Sequence, residues 1–126
     1  MNVIDSSAWL EYFANGPNAS FFAPAIEKTR ELIVPSLTLY EVFKRILQQR
    51  DEGSALQAVA AMQQGRIVDL DSNLAIMAAR ISTERKLPMA DSIILATAWA
   101  NGAEVWTQDA DFRGLPSVRY RKRRAK

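Results

Sequence analysis

Short apolar strands alternate with helical segments along almost the whole chain, and that alternation constrains the fold more than any other feature. Asn2–Ile4 reads as a buried strand. A helix follows at about 7–14, with Ser6 or Ser7 as its cap and Trp9, Leu10 and Phe13 at helical spacing. Asn15-Gly16-Pro17-Asn18 breaks it, and a second helix at about 19–30 carries Phe22 and Ile26. Leu32-Ile33-Val34 is the next strand, closed by Pro35. A long helix from Ser36 to about Asp51 presents Leu39, Tyr40, Phe43 and Leu47 as an apolar stripe and stops at Gly53. Ser54 caps a further helix that runs to about Gln64 and ends at Gly65. A strand over 66–70 precedes a helix over about 73–85, capped by Asp71 or Ser72, whose Leu74, Met77, Ala78 and Ile81 face inward. Pro88 separates it from a helix over about 90–100, stopped by Gly102. Glu104–Thr107 and Val118–Tyr120 complete the strands. Short strands joined through helices imply an α/β fold: a three-layer α/β/α sandwich around a short, mostly parallel sheet.

The length of 126 residues suits one domain, with 48% hydrophobic and 24% charged residues in the range of a folded chain. No apolar run approaches the roughly 20 residues needed to span a bilayer, so no membrane partner is expected. Asp5 follows Met-Asn-Val-Ile without a basic region, which does not resemble a signal peptide and makes the cytoplasm the expected compartment.

The residue types that are missing narrow the chemistry. There is no cysteine and no histidine. That excludes disulfides, thiolate nucleophiles, iron–sulfur sites, Ser-His-Asp triads and imidazole general bases. Zinc would have to bind through oxygen alone, which suits it poorly. Carboxylates with a hard cation such as Mg²⁺ or Mn²⁺ fit the remaining inventory.

The carboxylates are placed accordingly. Asp5 ends the first strand, and Asp109 stands two residues beyond Thr107 at the end of the fourth. In open α/β sheets that edge is where ligands bind. Asp91 lies in the first turn of a helix, and Glu41 follows Tyr40 in the long helix, so that it projects near the sheet. Each acid also has an ordinary role open to it. Asp91 suits a helix N-terminus, Glu41 has Arg45 four residues later, and Asp109 and Asp111 suit a turn.

Taken together, Val3-Ile4-Asp5-Ser6-Ser7, Glu41, Ala90-Asp91-Ser92-Ile93-Ile94-Leu95-Ala96 and Thr107-Gln108-Asp109-Ala110-Asp111-Phe112 resemble the PIN domain, and more narrowly a VapC-type toxin ribonuclease. The resemblance spans residues 1–118 in order and spacing. It implies a metal-dependent endoribonuclease whose acidic quartet is Asp5, Glu41, Asp91 and Asp109. Asp111 is then an auxiliary acid, and Ser6 and Thr107 are hydroxyls beside the quartet. It also implies Mg²⁺ (with Mn²⁺ as a substitute), an RNA substrate, a homodimer and a cognate antitoxin assembled with it. Trp9, Tyr12, Phe13, Phe21 and Phe22 would line the antitoxin's groove if they are not core residues. The spacing leaves open whether Asp109 or Asp111 lies closer to the metal.

Charge is divided unevenly. Residues 119–126 hold six of the 16 basic residues and no acid, which leaves ten basic and 14 acidic residues before them, a charge of −4. Arg119, Arg121, Lys122, Arg123, Arg124 and Lys126 thus form a basic tail suited to RNA phosphates, or simply to solvent. The alternative function is a non-catalytic module that binds nucleic acid or a protein partner; the acid cluster opposes it, because carboxylates repel phosphate. Aspartyl-phosphate enzymes fit less well, since Asp5-Ser6-Ser7-Ala8-Trp9 lacks the second acid that they require.

Overall fold

The computed structural model describes residues 1–125. The strands are β1 (Asn2–Ile4), β2 (Leu32–Pro35), β3 (Arg66–Val68), β4 (Glu104–Thr107) and β5 (Val118–Tyr120). They form one sheet in the order β3-β2-β1-β4-β5, and every adjacent pair is parallel. The helices between them are α1 (Ser6–Phe13), α2 (Ala19–Glu27), α3 (Ser36–Gln49), α4 (Glu52–Met62), α5 (Ser72–Arg85) and α6 (Met89–Ala100).

The layers follow from the two-residue period of the strands. Val3, Ile33 and Val105 point to one face, where Leu74, Ala78 and Ile81 of α5 and Ile94 of α6 cover them. Ile4, Leu32 and Val34 point to the other, under Trp9, Phe22, Val42, Ile46 and Met62 from α1 to α4. Both faces are therefore buried, as a wholly parallel sheet requires. Gly65 lets the chain enter β3 closely: a Cβ there would lie 2.8 Å from Leu32 Cγ and 3.0 Å from the Leu32 carbonyl oxygen.

Several expectations are corrected. The cap of α1 is Asp5, whose side chain accepts from Ala8 N–H, and not Ser6 or Ser7. Asp51 caps α4 through Ser54 N–H, so Gly53 lies inside that helix instead of stopping α3, and Ser54 is not the cap. Asp71, not Ser72, caps α5. In each case an aspartate earlier in the chain, rather than the serine, accepts from a free N–H group of the first turn.

The buried face of α3 is Thr38, Val42 and Ile46, flanked by Leu39 and Phe43, while Tyr40 and Leu47 are exposed. The second helix ends at Glu27, followed by a 3-10 turn over Thr29–Glu31. Trp9 and Phe22 are fully buried core residues, whereas Tyr12, Phe13 and Phe21 are half-buried at the edge of the same cluster. Burying a ring of that size stabilises by roughly 2–3 kcal/mol. For Trp9 the indole Nε1, which has no hydrogen-bond partner among the described residues, offsets part of that gain.

Candidate active site

The chain leaves β1 for β2 on one side of the sheet, and later enters β4 on the other side of β1. The crevice beyond the carboxyl ends of β1 and β4 is thus the switch point of the sheet, where a ligand can enter between diverging connections. Asp5 follows β1 directly, and its backbone N–H donates to the Trp106 carbonyl of β4 at 3.1 Å. The Asp5 carboxylate is buried, 2% exposed, and is held from three directions. Ala8 N–H donates to Oδ1 at 3.0 Å, the Ser7 hydroxyl reaches Oδ1 at 2.8 Å and Oδ2 at 3.0 Å, and the Thr107 hydroxyl donates to Oδ2 at 2.8 Å.

Thr107 joins two acids. While its Oγ1 donates to Asp5, the same oxygen accepts from Asp109 N–H at 2.8 Å. Asp109 in turn caps the 3-10 turn over Ala110–Phe112 by accepting from Asp111 N–H at 2.9 Å. That turn folds Asp111 back beside Asp109, and the first turn of α6 brings Asp91 to both. Asp91, Asp109 and Asp111 each offer a carboxylate oxygen, and these three atoms lie within 4.8 Å of one another. Glu41 approaches from α3, where its Oε1 accepts from the Ser6 hydroxyl at 2.8 Å.

The acids feel one another and their burial. Burial pushes the Asp5 carboxyl up to about 6 against its three donors, and the Asp109 charge adds to the rise. Asp91 is pushed up to about 8, first by burial, then by Asp109 and Asp111, with a smaller contribution from Asp5. Glu41 is also raised, by burial and then by Asp109, with Ser6 opposing. Asp109 therefore acts on all three of the other quartet members, whereas Asp111 acts on Asp91 alone. A carboxylate serving only a helix N-terminus would be held low. The upward push on Asp91 marks it as one of a crowded set. Glu41 likewise forms no ion pair with Arg45; the Ser6 hydroxyl takes its place.

Sequence reasoning missed the roles of Ser7, Asn18 and Gln108. Ser7 grips both oxygens of Asp5. Asn18 is buried far from the acids in sequence, and its Nδ2 donates to Gln108 Oε1 and to the Lys122 carbonyl, each at 3.0 Å. That second bond helps to fix the start of the basic tail, along with the Arg121 N–H, which donates to the Thr107 carbonyl at 3.0 Å. The Arg121 guanidinium lies 4.3 Å from the Phe21 ring centroid. Arg119 pairs with Glu104 at 3.0 Å and lies over Trp106. Lys122, Arg123 and Arg124 are exposed, and Lys126 falls outside the described residues. The hydrogen-bond pairing behind these contacts leaves no periodic signal in the chain.

Arg123 reaches a groove of about 710 Å³ that α1, α3 and α4 line beside the acids. Ser6, Ser7 and Glu41 line it, as do Arg45 of α3 and Arg50 just after that helix. No helix among the described residues is long and apolar enough to cross a membrane.

A family model of the PIN domain matches residues 3–117. No curated protein matches the chain. Among solved structures, a toxin–antitoxin complex from Klebsiella pneumoniae aligns with a TM-score of 0.80 at 24% identity, covering 94% of this chain and 96% of that one. VapC20 of Mycobacterium tuberculosis, described as a sarcin-ricin loop cleaving toxin, aligns at 0.77 with 16% identity over 94% and 97%. DNA-bound VapBC from Salmonella typhimurium aligns at 0.74 with 22% identity, over 96% of each chain.

Proposed function

Because the chain belongs to the PIN domain family, we propose that its acid cluster is the centre of a divalent-metal-dependent endoribonuclease that hydrolyses RNA phosphodiester bonds. The observation that carries this reading is the convergence of Asp91, Asp109 and Asp111 within 4.8 Å, with Asp5 and Glu41 oriented beside them by hydroxyl donors. The donor set fits Mg²⁺ or Mn²⁺: it is all oxygen, it comes from several elements, and Asp5 and Asp91 are raised first by burial and then by neighbouring carboxylates whose repulsion a cation relieves. Asp91, Asp109 and Asp111 would hold the ion, with Asp5 and Glu41 beside them. A divalent cation held there supplies positive charge against the phosphate and makes water acidic enough to attack at neutral pH.

The protein's own groups prepare the rest. Ser7, Thr107 and Ala8 N–H lock the Asp5 carboxylate in one orientation, so no reorganisation is needed when substrate arrives. Thr107 transmits that order to Asp109 through its backbone N–H. Ser6 donates to Oε1 of Glu41, which leaves Oε2 without a hydrogen bond among the described residues.

Toxin–antitoxin assemblies among the structural neighbours support a toxin role with an antitoxin as partner, and the same reading takes the toxin as a cytoplasmic homodimer. The half-buried Tyr12, Phe13 and Phe21 are the aromatic surface open to that antitoxin. The test is cleavage of a panel of RNAs by the purified chain in EDTA, then with Mg²⁺ or Mn²⁺ restored. Cleavage that appears only with the cation is expected; cleavage unaffected by chelation, or none in any condition, overturns the proposal.

A further inference from the structure

The acid cluster leaves one electrostatic question open. A body with a charge of −4 before residue 119 must hold a polyanion against its own carboxylates. The groove beside the acids answers it. Ser6 and Glu41 of the candidate active site line it, together with Arg45 of α3 and Arg50 just after that helix. Arg123 joins them from the tail, more than 70 residues away in sequence. The three guanidinium groups are exposed and form no ion pair or side-chain hydrogen bond among the described residues, where the only ion pair is Arg119–Glu104. Glu11 also lines the groove, but its Oε2 is engaged by Asn18 N–H at 2.7 Å.

The position of Arg123 is built, not incidental. β5 aligns the tail beside β4, Arg121 N–H extends that ladder to the Thr107 carbonyl, and Asn18 holds the Lys122 carbonyl one residue before Arg123. Arg119 and Arg121 are turned onto Trp106 and Phe21, so among the described tail cations it is Arg123 that lines the groove. Phe13, half-buried and stacked on Trp9 at 5.6 Å between centroids, adds an aromatic face to the same wall. Unpaired guanidinium groups with an aromatic face are what a single-stranded nucleic acid uses, through its phosphates and a stacked base.

We propose that this groove is the bed of the RNA strand on one side of the scissile phosphate, with Arg45 and Arg123 gripping its backbone. The proposal rests on the ribonuclease reading for its substrate, but not for its test.

Binding of a short fluorescein-labelled oligouridine is followed by anisotropy across a salt series in Mg²⁺, with Asp91→Asn as the common background to prevent turnover. Losing two phosphate contacts through Arg45→Gln with Arg123→Gln should flatten the slope of log K against log salt by roughly 1.4. The same slope corresponds to roughly 25-fold weaker binding at about 0.1 M salt. Arg80→Gln, on α5 in the opposite layer, should leave both quantities unchanged. With an otherwise wild-type chain, the double variant should raise KM for RNA cleavage and leave kcat near its original value. An unchanged salt slope in the double variant overturns the proposal and assigns the groove to a protein partner instead. A wild-type chain that cleaves no RNA overturns the ribonuclease reading, while the binding series still decides the groove.

Discussion

Thr107→Val removes one hydroxyl and tests how the site is held together. Valine has nearly the same shape, so no cavity opens at this fully buried position. Two bonds disappear: the one donated to Asp5 Oδ2 at 2.8 Å and the one accepted from Asp109 N–H at 2.8 Å. A hydrogen bond to a charged group contributes about 1.5–3 kcal/mol and a neutral one about 1 kcal/mol. Asp5 keeps its other two donors and Asp109 is only half-buried, so the expected net cost is ~2 kcal/mol, less than the sum. Urea unfolding in EDTA at neutral pH measures it, with the m-value unchanged if only the folded state is affected. Thr107→Ser restores both bonds and should recover most of the loss. Cation affinity should fall by about 10–100-fold in the valine variant, because the orientation of Asp109 and of Asp5 beside it loosens. A valine variant within about 0.5 kcal/mol of wild type, or a serine variant no better than valine, would refute the bridging role.

Asp5 and Asp91 have folded-state values of about 6 and about 8 against 3.8 when unfolded. The folded chain therefore binds more protons than the unfolded one in that window. The metal-free protein should be most stable below about pH 4 with respect to these groups and lose that contribution as pH rises towards about 8. For the buried Asp5 alone the loss is ~3 kcal/mol; a melting temperature in EDTA that climbs steadily from pH 5 to 8 would contradict it. Mg²⁺ should raise the melting temperature of the wild type, by an amount equivalent to about 2.7 kcal/mol at a hundredfold excess over Kd, and should release protons on binding at neutral pH. Equal shifts in wild type and Asp91→Asn would place the cation elsewhere. Gly65→Ala should cost ~1–3 kcal/mol by forcing a Cβ against the Leu32 side chain and carbonyl, and an unchanged urea midpoint would refute that packing.

The parallel sheet and the edge that carries the acids were legible because strand and helix periods differ and β-branched runs are short. Asp5 and Asp109 are legible because each stands just beyond the end of a strand. Side-chain competition was harder to read. Arg45 lies four residues from Glu41, yet Ser6, distant in sequence, takes the carboxylate. Asp5 doubles as helix cap and buried acid, so the serines beside it were misread as caps. On α3 the buried face includes Thr38, whose hydroxyl is satisfied by the Pro35 carbonyl at 2.7 Å; a polar residue on the inner face hid the true stripe and left Tyr40 and Leu47 misassigned. The docking of the tail depends on Asn18 and Gln108, whose amides carry no pattern until the chain is folded.

Whether the converged carboxylates perform the reaction decides the function of the site. The most direct measurement compares the wild type with Asp91→Asn in single-turnover cleavage of an RNA that the wild type cuts in Mg²⁺, with circular dichroism confirming that the variant is folded. Removing a like charge from the metal-free cluster should leave the variant at least as stable in EDTA as the wild type. The account predicts loss of at least about two orders of magnitude in cleavage rate, the scale expected when charge stabilisation at the reacting phosphate is removed. A folded Asp91→Asn protein that cleaves at close to the wild-type rate would contradict it.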